Sequence, residues 1–206
     1  MTLIEMPNIS DSDTAASTAR GRFAVIGEPI VAVDLVNTLA VPGSLVVDDL
    51  LSADRGAAAW WRIERARVPG GELPDIGSLR RLRSALRDVI EALVDGRPVP
   101  PVAVSDLNFF MEAAPASMRL RLTGTELRTE VQWHGEYGGN ARLAFVAAQA
   151  AEFLTSPSKV RRLRRCANPA CSMIFVAVNP RRSWCAPGVC GNRVRVARHY
   201  RRAGGT

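Results

Sequence analysis

Residues 166–202 read CANPACSMIFVAVNPRRSWCAPGVCGNRVRVARHYRR, and this run decides the architecture. It holds every cysteine of the 206-residue chain: Cys166, Cys171, Cys185 and Cys190, spaced C-x4-C-x13-C-x4-C. Two close pairs separated by a loop are the pattern of a tetrahedral thiolate site, with each pair on its own tight turn. The turn residues are there, as Asn168-Pro169 in the first pair and Pro187-Gly188 in the second. Two disulfides are disfavoured in a chain that opens without a secretion signal, and a redox pair shows the closer C-x-x-C spacing. An iron–sulfur cluster uses the same four thiolates and stays open on spacing alone. One zinc ion is the expected occupant. A closed four-thiolate site leaves no coordination position for water, so the metal folds the segment rather than catalysing a reaction. Zinc binding, worth about 10–16 kcal/mol in small finger peptides, replaces the core that so short a segment cannot build. Phe175, Val176 and Trp184 are expected beside the metal.

The charge distribution points the same way. Residues 1–152 hold 15 basic and 20 acidic side chains, a net −5, whereas the remaining residues hold 12 basic and no acidic ones, a net +12. A segment without a compensating carboxylate presents an uninterrupted positive field, whose natural partner is a polyanion. All but one of those cations, Lys159, are arginines, whose planar fork matches phosphate oxygens and the edge of guanine. The stretch after the last cysteine predicts a helix. On it Arg195, Arg198 and Arg202 share one face, Arg193, Ala197 and Arg201 form the next stripe, and Val194 turns back toward the metal. With Arg181 and Arg182, these side chains form the candidate nucleic-acid surface, and the arginines at 161, 162, 164 and 165 widen the field.

Upstream, the chain predicts a helix-rich α+β domain. The segment GRFAVIGEPIVAVDLVNTLAV reads as two short strands around a Gly27-Glu28-Pro29 turn, followed by a helical or irregular stretch. A helix follows with Ser52 as its cap. The strongest helix begins near Pro74, with Leu79, Leu82, Leu86, Val89, Ile90 and Leu93 on one stripe and its arginines on a solvated face. A shorter helix ends before Pro115. Alternating residues 117–135 around Thr123-Gly124 predict a two-stranded hairpin, and residues 140–156 return to helix. Residues 1–20 read as a flexible tail, 21–157 as the α+β domain, and 158–206 as a small module of turns and a terminal helix. No apolar run is long enough to cross a membrane, and a cytoplasmic location is expected.

The C-terminal run resembles the CGNR zinc finger, named for the tetrapeptide formed here by Cys190, Gly191, Asn192 and Arg193. VAVDLVNTLAV resembles the start of the ABATE domain that accompanies this finger, a pattern near L-D-F-x-N-T matched by Asp34, Asn37 and Thr38. The resemblance covers the chain from about Arg20 onward. It implies an α+β domain joined to a zinc-ribbon-like module, and a stress-induced transcription regulator of bacteria whose finger binds DNA. Three positions depart from the family pattern: Ala177 stands where aspartate is usual, Ser183 is inserted before Trp184-Cys185, and Arg195 replaces the commoner lysine.

No catalytic constellation stands out, and an enzyme is not expected. His134 reads as structural, His199 lies among arginines, and adjacent Asp48 and Asp49 point apart, in capping or surface roles. Asp34, Asn37 and Thr38 sit inside an apolar run, where buried polar groups need partners. They form either a structural network or a pocket orienting a small-molecule effector. The expected function is a zinc-dependent DNA-binding regulator of transcription whose larger domain senses a signal or mediates homodimerisation. The alternative is an RNA- or protein-interaction module presenting a basic surface.

Overall fold

Val31–Val36, expected to start as a strand, forms a helix, α1, all six of whose residues are buried. The computed structural model describes residues 27–40, 48–135 and 138–203. The expected tail at 1–20 and first strand at 21–26 lie outside the described residues, as do the side chains of Asp48, Arg201 and Arg202. The helical α1 corrects the strand expectation for a physical reason. A helix buried on every side has no polar face, so the 3.6-residue period is absent, and valine at 31, 33 and 36 imitates a strand. α1 packs against two long helices and a strand of the C-terminal module, which places it at the centre of the molecule.

After α1 come two-residue strands β1 (Leu39–Ala40) and β2 (Asp48–Asp49), paired antiparallel. α2 (Asp54–Glu64) contributes Trp60 and Trp61, both fully buried. Its N-cap is Ala53, without a side-chain bond; Ser52, the expected cap, instead donates its backbone N–H to Asp49. α3 (Ile76–Asp95) matches its predicted stripe, with Leu79, Leu82, Leu86, Val89 and Ile90 buried. Its ends are set by chemistry. The Asp75 carboxylate accepts from the Ser78 N–H, and Gly96 takes the left-handed φ of 65° that lets Arg97 N–H reach back to the Ala92 carbonyl. α4 (Pro101–Ala113) starts on a proline, and β3 (Ala116–Thr123) and β4 (Glu126–Trp133) form the predicted hairpin. α5 (Ala141–Leu154) is capped by the Asn140 side chain, which accepts from the Arg142 and Leu143 N–H groups.

The arginines of α3 do not all face water. Arg81 does, pairing with Asp106, whereas Arg83 is 5% exposed and forks onto the Asp49 carboxylate. Arg80 and Arg87 donate to the Leu51 and Leu39 carbonyls. Three guanidinium groups thus hold a ladder too short to hold itself. Asp49 is a structural anchor, its carboxyl kept below the ordinary range chiefly by Arg83.

The C-terminal module opens with α6 (Pro157–Val160), then β5 (Leu163–Arg165) paired antiparallel with β6 (Ile174–Val176). This ribbon alternates between two interiors. Leu163, Ile174 and Val176 join the main core beside α1 and α3, while Phe175 and Ala177 join the cysteines in a second cluster. A wide turn, Pro187–Gly191, leads into α7 (Asn192–Ala203). The fold class is therefore the expected α+β with a cysteine-bearing appendage, but the appendage shares its ribbon with the main core.

Candidate metal centre and basic surface

Two Asn-Pro turns with the same internal wiring build the module. In the first, Asn168 Oδ1 accepts from the Ala170 N–H and the Asn168 carbonyl accepts from the Cys171 N–H. In the second, Asn179 Oδ1 accepts from the Arg181 N–H and the Asn179 carbonyl from the Arg182 N–H. The first turn delivers a cysteine to the metal site and the second delivers an arginine. On the opposite side, the Cys190 N–H reaches the Ala186 carbonyl at 2.8 Å, closing the wide turn that presents Cys185 and Cys190 together.

All four Sγ atoms lie within 4.8 Å of one another. Cys171 and Cys185 are 3.8 Å apart and Cys185 and Cys190 3.6 Å, far beyond a disulfide length. A tetrahedron with zinc–sulfur bonds of about 2.3 Å has edges of about 3.8 Å. The thiols therefore fit one ion at their centre, whereas a polyatomic iron–sulfur cluster interposes several atoms and spreads its ligands wider. Crowding sets the thiols against one another. A hydrogen bond to Cys185 pulls Cys171 down to about 5, and the same contact, with burial, pushes Cys185 up. A divalent cation removes that conflict by neutralising every thiolate at once.

Each letter of the tetrapeptide has a separate job. Cys190 is a ligand. A Cβ at Gly191 would lie 3.3 Å from the Trp184 indole, so the ring packs onto bare backbone there and walls the site. Asn192 opens α7, and Arg193 is the first exposed arginine. Ala177, at the usual aspartate position, is 3% exposed against Phe175 and the cysteines. Its N–H and carbonyl are both bonded to Arg162, so the position is filled by packing instead of a carboxylate.

The arginines of the module divide sharply. Arg165 forks onto Asp95, and Arg164 donates to the Pro180 carbonyl. Arg182 is drawn inward. It pairs with Glu28 at 3.0 Å, donates to the carbonyls of Val176, Trp184 and Cys185, and lies 4.5 Å over the Phe175 ring. Arg193, Arg195 and Arg198 are exposed, and among the described residues none of them has an ion-pair partner. Val194 is half-buried. Arg181 is exposed as well.

Asp34, Asn37 and Thr38 come together with partners that sequence reasoning did not supply. Asn37 Nδ2 donates to the Ile174 carbonyl at 2.7 Å while its Oδ1 accepts from the Ile174 N–H at 3.0 Å. One side-chain amide thus bonds the edge of β6 as a neighbouring strand would. Glu28 extends the pairing by accepting from the Val176 N–H at 2.7 Å. Thr38 donates to the Leu35 carbonyl and accepts from Arg83. Asp34 accepts from the Gly27 and Glu28 N–H groups and from Arg67. Glu28 and Arg67 were missed because long charged residues near a turn ordinarily read as surface. His134, expected to be structural, bonds Ser117 Oγ through Nε2 at 2.8 Å.

A family model described as "Putative stress-induced transcription regulator", the ABATE domain, matches residues 31–157, and the CGNR zinc finger matches residues 162–203. The chain belongs to the ABATE family. Its CGNR finger makes the four-cysteine site a zinc site, in agreement with the sulfur geometry. Both families are of regulator and zinc-finger type, and neither is an enzyme family. No curated protein matches the chain. Among the described residues no helix is long and apolar enough to cross a membrane.

The Asp34 network of this ABATE domain carries a pH dependence. Asp34 and Glu64 both meet Arg67 Nη1, at 2.6 and 2.8 Å, and both are buried. One cation against two buried carboxyls leaves the pair holding a proton. Burial, then the Glu64 charge, pushes Asp34 up to about 8. The unfolded chain releases that proton above the ordinary carboxylate range and the folded chain keeps it, so folding stability falls as pH rises toward about 8. Urea midpoints are expected to drop between about pH 6 and 8. Glu64→Gln, which leaves one carboxylate for one guanidinium, should flatten that decline; a slope as steep as the parent's would contradict the shared proton.

Proposed function

We propose that the protein is a zinc-dependent, DNA-binding regulator of transcription acting in the cytoplasm. The observation that carries this reading is α7: a helix that begins two residues after the ligand Cys190 and projects exposed arginines from a segment that has no acidic residue. Phosphates are the complementary surface, and a helix so held suits a groove or the backbone beside it. The proposed contact set is Arg181, Arg193, Arg195, Arg198, Arg201 and Arg202; Arg182 leaves the set because its guanidinium is committed to Glu28. The protein partners of Asp34, Asn37 and Thr38 favour a domain-locking role over an effector pocket.

Six arginines on phosphates predict that log K falls against log salt with a slope of about −5. Fluorescence anisotropy with duplex DNA, before and after chelation, reads both parts of the proposal. Zinc-loaded protein is expected to bind and chelated protein to lose binding. Equal binding by the metal-free chain would remove the folded-finger mechanism. Preference for RNA over duplex DNA at matched salt would move the function to the RNA-binding alternative.

A further inference from the structure

The predicted hairpin forms, but among the described residues almost nothing covers it. Its register sets Met118 opposite Val131, Leu120 opposite Thr129 and Leu122 opposite Leu127, all on one face of the β3–β4 pair. These apolar side chains are 40–74% exposed. The opposite face carries the charges, three arginines and two glutamates, and two ion pairs form within the hairpin, Arg121 to Glu130 at 2.7 Å and Arg128 to Glu126 at 2.9 Å. This is the pattern of a sheet with one wet and one covered side. Among the described residues the apolar side is anchored at its root, where Trp133, across from Ala116, packs edge-on against Phe145 of α5 at 5.9 Å. Beyond that contact the arm projects. A two-stranded hairpin with so little support is marginal in water and calls for a further layer.

We propose that the layer is the same face of a second copy, and that the protein is a two-fold dimer joined through its β3–β4 arms. Charge decides the occupant. The face carries no ionisable side chain, so it complements neither a polyanion nor a basic or acidic partner, whereas an apolar face is complementary to itself about a two-fold axis. Position supports the same answer. The arm roots at the second turn of α5 and the basic module begins after its last turn, and a helix of 14 residues is about 21 Å long. Two copies joined by their arms therefore meet away from their basic modules, in the part of the chain whose net charge is −5 rather than +12. The pairing stands independently of the DNA-binding proposal, and its test reads no nucleic acid.

Sedimentation equilibrium of the zinc-loaded full chain should give twice the 22.3 kDa chain mass. The double substitution Leu120→Asp, Leu127→Asp is expected to weaken association about 100-fold, because each charge enters the interface twice. Both positions are exposed in one copy, so circular dichroism and zinc content should be unchanged. Arg121→Ser, on the opposite face, should remain dimeric. A photo-reactive residue in place of Leu122 should cross-link β3 or β4 of one copy to the other, and this readout decides the matter even if the double variant does not fold. A parent chain at monomer mass, a double variant as dimeric as the parent, or cross-links absent from the arm would each overturn the proposal.

Discussion

Cys190→Ser is expected to destabilise the entire chain, not only its last forty residues. The reason lies in the ribbon. Phe175 and the following Ala177 face the cysteines, while Leu163, Ile174 and Val176 of the two strands fill the main core against α1 and α3. If the metal site opens, the ribbon loses one wall and its strands have only three paired positions to hold their register. Burial of each of those three core side chains contributes about 1.5–3 kcal/mol, so releasing them costs roughly 4–9 kcal/mol. Against a typical domain stability of about 5–15 kcal/mol, that is a large share. Urea unfolding followed by tryptophan fluorescence should therefore show one transition, moved to much lower denaturant by the substitution or by chelation. Trp60 and Trp61 report on α2, remote from the metal in sequence. If their transition keeps its midpoint while zinc is lost, the two parts fold separately and the shared-core account fails.

The metal site was the most legible part of this sequence because its information is discrete. Four cysteines in a fixed spacing, with asparagine, proline and glycine between them, specify turns and ligands without reference to the rest of the fold. α3 and the hairpin were legible for a related reason: each shows a period, 3.6 or 2, over a long stretch. Legibility failed where burial is complete. α1 carries no alternation because no side of it meets water, and its valines favour the wrong answer. The D-x-x-N-T pattern announced buried polar groups but not their partners. Asn37 bonds Ile174, 137 residues away, and no local rule connects the two. Charge misled in the same direction. Arg83 and Arg182 read as surface cations, yet each meets a carboxylate brought in from a distant part of the chain, and burial of the stem with satisfaction of the fork outweighs exposure.

The sharpest contrast the structure offers is between two adjacent arginines. Arg182→Ala is expected to lower stability by about 3–5 kcal/mol, the usual cost of removing one partner from a buried ion pair. Glu28, 4% exposed in the intact chain, would lose its nearest cation, and the carbonyls of Val176, Trp184 and Cys185 would lose a shared donor. Arg182→Lys should recover little, since an ammonium on a flexible stem cannot span those acceptors and stack on Phe175 at once. Arg181→Ala removes an exposed side chain whose backbone, not its guanidinium, makes the turn, so stability should move by no more than about 0.5 kcal/mol. Under the proposed function its effect belongs elsewhere, with a salt slope for DNA binding shallower by about 1. Parallel urea melts and salt titrations of the two variants separate the roles. Equal loss of stability in both would dissolve the distinction between the arginine that ties the finger to the turn before α1 and the arginine that faces outward.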